Sequence, residues 1–260
     1  MNRSTLACRS HGSGQPVIYL HGFFSDGRLW DPVIRELGDE FHQLGVDLPG
    51  HGDSSGWRGG WPELLFALDE LIKSLDRPPV IVGYSMGARV LRQLLLKSGP
   101  KLHSAHLIAA HPGLEAKAAQ ERRHHDEQLA DKLASRPLDE SVRAWSDLPI
   151  FLGQDRASEG SLERQDKLRR QQDPEGLAFA LRALGSGTCG AGGAPARVSP
   201  IQLICGDRLK QDQDRTRALA DQWPQARVTW LEGIGHNPIL EDPSALSAHF
   251  KRFLRASAKT

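Results

Sequence analysis

Short apolar runs alternate with segments of helical periodicity at both ends of the chain. Six of these runs have the length and apolar character of buried strands, namely residues 17–20, 43–47, 80–82, 105–109, 201–205 and 228–231. Strands that alternate with helices in this way are typical of a parallel sheet with helices on both faces. The pattern therefore predicts an α/β fold with a mostly parallel central sheet.

Helical periodicity is clearest after the second and third of these runs. Between residues 61 and 75, leucine and isoleucine recur at spacings of three and four, which places them on one helix face. A second helix, over about residues 85–97, follows the run at 80–82 without a real loop. This abrupt passage from strand to helix is the first place where the sequence indicates chemistry.

The middle of the chain interrupts the alternation of strands and helices. Residues 112–197 are rich in charged residues and helix formers and contain no convincing strand. We expect a helical cap here, inserted over the C-terminal edge of the sheet between two parts of a core domain, residues 1–111 and 198–260. Residues 185–193 are dense in glycine and predict a flexible return to the core.

A serine lies at the junction between the third predicted strand and its helix. The residues are Gly83-Tyr84-Ser85-Met86-Gly87, a G-x-S-x-G pattern between an apolar strand and a helix. The turn is so sharp that only glycine leaves room two residues to either side of the serine. It exposes the hydroxyl and aims the first N–H groups of the helix at developing negative charge. By itself the pattern is common, but its position makes Ser85 the predicted nucleophile.

Two other segments supply partners for this serine. His21-Gly22-Phe23 ends the first strand, so the N–H groups of Phe23 and Met86 are expected to form an oxyanion hole, with His21 orienting the loop. His236 follows the last strand in a glycine-rich loop. Its position singles it out among eleven histidines as the predicted base.

The third member of the predicted triad is less certain. A carboxylate is expected after the strand at 201–205, most often as G-x-x-D, but this chain has Leu209 at that position. Three aspartates lie nearby. We favour Asp207, which is tethered to the strand end, over Asp212, with Asp214 further along the loop.

Composition narrows the classes of partner. The 260 residues carry 33 basic and 32 acidic side chains, a balance that gives no general attraction to nucleic acid or to a membrane surface. The three cysteines are far apart and lack C-x-x-C spacing, which disfavours a disulfide framework or a zinc site and indicates a cytoplasmic location. We expect no metal or organic cofactor, no membrane segment, and a monomer or small homo-oligomer.

Taken together, these motifs resemble a known family. The chain is similar to the 2-succinyl-6-hydroxy-2,4-cyclohexadiene-1-carboxylate synthases of menaquinone biosynthesis, which have the α/β-hydrolase fold. The resemblance runs from about residue 17 to the C-terminal helix. The Gly83–Gly87 turn is called the elbow below. The residues most specific to the family are Arg89 after the elbow, His111-Pro112-Gly113-Leu114 at the start of the cap, and the cap arginines.

The resemblance implies a lyase that removes pyruvate from a succinyl-bearing cyclohexene carboxylate. The substrate carries several carboxylates, which arginine forks bind with paired hydrogen bonds. Arg89, four residues after Ser85 on the same helix face, is expected to be one such ligand. The other substrate-binding residues that the resemblance implies are Tyr84, Arg122, Arg123, Trp145 and Arg169. Residues 115–170 hold slightly more acidic than basic side chains, so most of these charges are expected to be solvated.

Two alternatives remain at this point. The same elbow serves a conventional serine hydrolase acting on an ester, a thioester or a carbon–carbon bond, because a fold does not fix a reaction. The residue at position 209 also leaves room for a non-catalytic relative that binds a ligand after losing its acid.

Overall fold

A seven-stranded sheet lies at the centre of the computed structural model, which describes residues 5–151, 154–195, 197 and 199–257. The strand order is β1-β3-β2-β4-β5-β6-β7, and every neighbouring pair is parallel except β1 and β3. The strands are β1 (Cys8–His11), β2 (Gln15–Leu20), β3 (Phe41–Val46), β4 (Val80–Tyr84), β5 (Ser104–Ile108), β6 (Ile201–Gly206) and β7 (Arg227–Leu231). The predicted fold is therefore confirmed.

All six predicted strands are present, and the one strand that the pattern missed is β1. Its four residues are exposed and carry no apolar run, so periodicity gave no signal for it. Instead, β1 is held by antiparallel pairing with the edge of β3, where Cys8 lies opposite Val46. In the sheet order, β1 is three strands away from β4, which ends at the predicted nucleophile.

Helices cover both faces of the sheet and form the cap. In chain order they are α1 (Asp31–Leu37), α2 (Trp61–Lys73), α3 (Met86–Lys97), α4 (Ala116–Ser135), α5 (Leu138–Ser146), α6 (Glu159–Arg169), α7 (Pro174–Leu184), α8 (Lys210–Gln222), α9 (Pro238–Glu241) and α10 (Pro243–Ser257). One apolar core lies beneath α2, α3 and α8, and a second lies beneath α1 and α10 on the opposite face. Within the described ranges, no helix has both the length and the apolar character of a membrane span.

The insertion between β5 and β6 is helical, as predicted, and has a small core of its own. Helices α4, α5 and α7 contribute Leu133, Val142 and Leu181 to this core, where they pack against Phe24 from the loop after β2. Because Phe24 directly follows Phe23, the cap rests on the segment predicted to form the oxyanion hole.

The glycine-dense return at 185–193 is anchored rather than loose, which corrects the expectation of a flexible segment. The buried Arg92 of α3 donates to the carbonyl oxygens of Gly190 (3.2 Å) and Gly192 (2.6 Å). The indole of Trp223 donates to Gly193 at 2.8 Å. Glycine composition predicted conformational freedom, but donors from distant elements bind the exposed carbonyls and fix the path of the segment.

Candidate active site

Ser85 occupies a strained turn between β4 and α3. Its φ of 52° and ψ of −104° lie in a region that non-glycine residues rarely adopt. A Cβ on Gly83 would collide with the carbonyl of Gly87, and a Cβ on Gly87 would collide with the carbonyl of Leu20. The two glycines are thus required because backbone passes directly against each of them. This packing holds the serine hydroxyl clear of the sheet.

His236 lies between Ser85 and a buried aspartate. Its Nε2 atom is 3.2 Å from Ser85 Oγ, and its Nδ1 atom is 2.7 Å from Oδ2 of Asp212. Asp212 can only accept when ionised, so this contact places the imidazole proton on Nδ1 and leaves Nε2 as the acceptor that faces the serine. His236 and Asp212 are both almost fully buried. The geometry is that of a Ser–His–Asp triad.

The preference for Asp207 is therefore corrected, because Asp212 is the carboxylate at His236. Asp207 follows directly on β6, but its Oδ1 atom accepts from the backbone N–H of Gly233 at 2.6 Å. Helix α8 begins at Lys210 and places Asp212 in its first turn. Closeness to the strand end favoured Asp207 in the sequence. The start of α8 at Lys210 instead brings Asp212 back to the imidazole.

Two buried histidines hold the loop that precedes Phe23 and Phe24. His21 donates through Nδ1 to the carbonyl of Gly22 (2.7 Å) and accepts at Nε2 from the N–H of Leu48 (2.9 Å). His51 accepts at Nε2 from the N–H of Phe24 at 3.2 Å. Burial lowers the pKa of His51 to about 3, so the ring stays neutral and keeps this acceptor. The orienting role expected for His21 matches its contacts.

The backbone around Phe23 and Met86 lies beside the serine. A Cβ built on Gly22 would lie 3.7 Å from the Cβ of Ser85, which places the end of β2 against the elbow. Met86 is the first residue of α3, so its N–H has no acceptor within the helix. Phe23 lines the space above Ser85. These positions are consistent with the predicted oxyanion hole.

A cavity of about 600 Å³ lies between Ser85 and the cap. Among its described lining residues, five side chains are cationic and one, Glu140, is anionic. The cations are Arg89, Arg122, Lys132, Arg136 and Arg215. The cap sequence as a whole is nearly balanced in charge, so folding sorts its charges and turns basic groups towards the cavity. Such a wall favours an anionic ligand.

Arg89, expected at the site from its helix position, and Arg122, implied by the resemblance, both line the cavity. Arg89 lines the cavity, and no carboxylate is paired with it in the described part of the chain. Burial lowers the pKa of Arg89 and Arg122 adds repulsion, although the guanidinium remains charged at neutral pH. Arg122 donates through Nε to Asp126 at 2.7 Å. Burying a guanidinium without a paired anion costs free energy, and a bound anionic ligand would offset this cost.

The other predicted substrate residues divide into two groups. Tyr84 and Trp145 line the cavity. Arg123 and Arg169 are not among its lining residues, so the structure does not bring these two side chains to the cavity. Arg123 donates to the carbonyl of Gly187 at 2.7 Å, because on α4 it points about a quarter-turn away from Arg122. Arg169 donates to Ser146 Oγ at 2.7 Å and lies behind the wall, 5.1 Å from the ring centre of Phe151.

Several polar residues of the cavity wall had no predicted role in binding, among them His111, Lys132, Arg136 and Arg215. His111 belongs to a motif that was quoted without a role. Lys132 lies ten residues after Arg122 on α4 and about 80° around the helix axis from it, so helical spacing alone did not place both side chains on one face. Arg215 lies one turn after Asp212 on α8. Because Asp207 was the favoured acid, this turn of the helix was not expected to lie at the site.

No metal centre is evident in the described part of the chain, where no three His, Cys, Asp or Glu side chains converge in a way that could hold an ion. All three cysteines lie within that part and are free.

Comparisons with known proteins identify the family. Residues 17–249 match the model of the alpha/beta hydrolase family. The chain is 32% identical to the 2-succinyl-6-hydroxy-2,4-cyclohexadiene-1-carboxylate synthase of Salmonella newport (strain SL254), over 94% of this chain and 97% of that protein. The corresponding protein of Salmonella paratyphi A is also 32% identical, with the same coverage.

Solved structures show the same fold. MenH from S. aureus superposes with a TM-score of 0.88 at 24% identity, covering 98% of this chain and 99% of that one. A malate-bound thermophilic esterase from Thermogutta terrifontis superposes with a TM-score of 0.79 at 24% identity, covering 97% and 93%. The chain belongs to the α/β-hydrolase family and, within it, to the 2-succinyl-6-hydroxy-2,4-cyclohexadiene-1-carboxylate synthases.

Proposed function

We propose that this chain eliminates pyruvate from a succinyl-bearing cyclohexene carboxylate, giving 2-succinyl-6-hydroxy-2,4-cyclohexadiene-1-carboxylate for menaquinone biosynthesis. The observation that carries the proposal is the pairing of a complete Ser85–His236–Asp212 array with a cavity lined by five cations and one carboxylate. The first feature supplies a base and the second matches a substrate with several carboxylates. The three free cysteines fit a reducing compartment such as the cytoplasm.

In this mechanism Ser85 acts as a base relayed through His236. Nε2 of His236 takes the hydroxyl proton while Ser85 Oγ takes a proton from the substrate ring. The electron pair of the broken C–H bond forms the new ring double bond, and the C–O bond to the pyruvyl group breaks. The departing pyruvyl oxygen takes the proton from Nε2 of His236, so that pyruvate leaves as its enol. Ser85 keeps the proton taken from the substrate ring, and the serine and the neutral histidine are both regenerated.

Three groups of residues assist this step. Asp212 holds the histidine in the tautomer that accepts at Nε2 and stabilises the imidazolium that forms. The N–H groups of Phe23 and Met86 stabilise negative charge that develops on a substrate oxygen. Arg89 and Arg122 fix the carboxylates, so that the ring proton lies within reach of Ser85.

The test measures pyruvate release from the cyclohexene substrate, coupled to lactate dehydrogenase and NADH. Wild-type protein and the matched control Ser98→Ala, an exposed serine at the other end of α3, are expected to release pyruvate at equal rates. Ser85→Ala is expected to lose at least about three orders of magnitude in kcat. Absence of pyruvate from the wild type, or equal rates in Ser85→Ala, would refute the proposal.

The hydrolase alternative is tested with p-nitrophenyl acetate. A burst of nitrophenol with a trapped acyl-Ser85, in protein that releases no pyruvate, would identify a conventional hydrolase.

The non-catalytic alternative rested on the missing carboxylate at position 209. Asp212, at 2.7 Å from His236, removes that reason.

A further inference from the structure

Helix α8 carries the buried aspartate and, one turn later, an arginine on the cavity wall. The Arg215 guanidinium lies 3.6 Å from Oδ1 of Asp212, while Oδ2 of the same carboxylate accepts from His236. Arg215 is about a quarter exposed and lines the cavity. It therefore lies between the triad and the space where a ligand would bind.

His111 faces the same part of the cavity from the segment after β5. Its Nδ1 atom accepts from the N–H of Gly113 at 3.0 Å, so this nitrogen carries no proton. Burial lowers the pKa of His111 to about 3, assisted by repulsion from Arg215, Arg89 and Arg122, and the ring is neutral at physiological pH. Its proton therefore lies on Nε2, the nitrogen left available to a ligand.

The surroundings of these two side chains favour an anion. Arg89 and Arg122 lie close enough to repel Arg215 and His111 electrostatically. Asp212 and Asp126 partly offset two of the three arginines, and Arg89 has no such partner among the described residues. Three guanidinium groups with a neutral N–H donor beside them match the oxygens of a carboxylate.

We propose that Arg215 and His111 form a carboxylate-binding subsite beside Arg89, and that Arg215 is shared between the substrate carboxylate and Asp212. The inference deepens the proposed function, since its ligand is one carboxylate of that substrate. It assigns binding roles to two residues that had no predicted role in binding. It also couples occupancy of the subsite to the triad, because one guanidinium contacts both.

The first test measures binding of succinate by calorimetry, which needs no turnover. Arg215→Gln is expected to weaken the Kd of wild-type protein for succinate roughly ten- to hundredfold, the range for a lost charged hydrogen bond. Arg217→Gln is the matched control. It makes the same charge change on the same helix, at an exposed arginine paired with Asp214 and stacked on Trp230, and it should leave the Kd unchanged.

His111→Asn tests the second residue. The asparagine oxygen can still accept from Gly113, so the loop keeps its bond, while the donor towards the cavity is lost. Succinate affinity is expected to fall about tenfold. His111→Gln, which restores a donor near the position of Nε2, is expected to recover part of the loss.

Steady-state kinetics separate binding from a purely structural role. Arg215→Gln is expected to raise KM for the cyclohexene substrate at least as strongly as it lowers kcat. The subsite is refuted if wild-type protein fails to bind succinate at millimolar concentration, if Arg217→Gln weakens binding equally, or if Arg215→Gln lowers only kcat. If succinate binding depends on Arg215 but the protein makes no pyruvate, the proposed reaction is refuted and the subsite is supported.

Discussion

Replacing Asp212 by asparagine is the most direct test of how the triad is assembled. The side chain accepts a 2.7 Å hydrogen bond from Nδ1 of His236 and is 3% exposed, so no water can replace it easily. An asparagine of the same shape can turn its NH₂ group towards Nδ1. The imidazole proton then moves to Nε2, where it faces Ser85 Oγ, and the histidine can no longer take the serine proton.

The expected magnitude follows from this change of tautomer. The equivalent substitution in a serine protease lowers kcat by about 10⁴, which corresponds to about 5 kcal/mol of transition-state stabilisation. We expect Asp212→Asn to approach the loss expected for Ser85→Ala, with KM much less affected. Pyruvate release measured under saturating substrate gives kcat, and thermal unfolding checks that the variant is folded.

Asp207→Asn is the matched control for this prediction. The asparagine oxygen can still accept from the N–H of Gly233, so the loop that carries His236 keeps its anchor. Activity should stay within about fivefold of wild type, since a neutral acceptor replaces a charged one at a site away from the imidazole. Equal losses in the two variants, or an Asp212→Asn variant within tenfold of wild type, would contradict the assignment.

Three further predictions test the elbow, the cavity wall and the junction between core and cap. The free energy of unfolding measured in urea should be about 1 kcal/mol higher for Ser85→Gly than for Ser85→Ala, because only glycine relieves the strained φ and ψ. Equal free energies of unfolding would contradict this. Arg123→Ala should lower the free energy of unfolding by about 1 kcal/mol and leave KM unchanged. Arg89→Ala should raise KM about tenfold or more. If Arg123→Ala raised KM and Arg89→Ala did not, the placement of the two arginines would be wrong. Burial raises the pKa of Asp26, but hydrogen bonds from Arg28 outweigh it and hold the pKa at about 2. Arg28→Gln should therefore remove about 2 kcal/mol of stability that is present above the ordinary pKa of 3.8 and is lost as pH falls towards 2; a pH-independent difference in urea unfolding would refute this.

The cavity also explains how a chain with nearly equal numbers of acidic and basic residues can favour an anionic substrate. Along α4, Arg122 and Lys132 turn inward, while Glu127 and Asp131 pair with Arg182 on the outer side. Net charge and local charge are therefore independent quantities here. A balanced composition argues against binding to nucleic acid, but it says nothing about one lined cavity.

The sequence by itself determined the sheet, the cap and the first two members of the triad. Apolar runs located six strands, and the strand–glycine–serine–glycine–helix order fixed Ser85, because that turn is sterically possible only with glycine where backbones meet. His236 followed from its place after the last strand. These are local features, which depend on a few consecutive residues and on where strands of a parallel sheet end.

Tertiary structure alone decided which aspartate serves His236 and which cations face the cavity. Asp207 and Asp212 both follow β6 closely, and only the start of α8 at Lys210 determines which of them reaches the imidazole. The direction of Arg123 and Arg169 depends on hydrogen-bond partners far away in the chain, namely Gly187 and Ser146. Arg215 follows from the helix that also carries Asp212, one turn earlier. The contacts of Arg123, Arg169 and the triad join residues 23 to 151 positions apart, so no local pattern encodes them, and the packing of core and cap decides them.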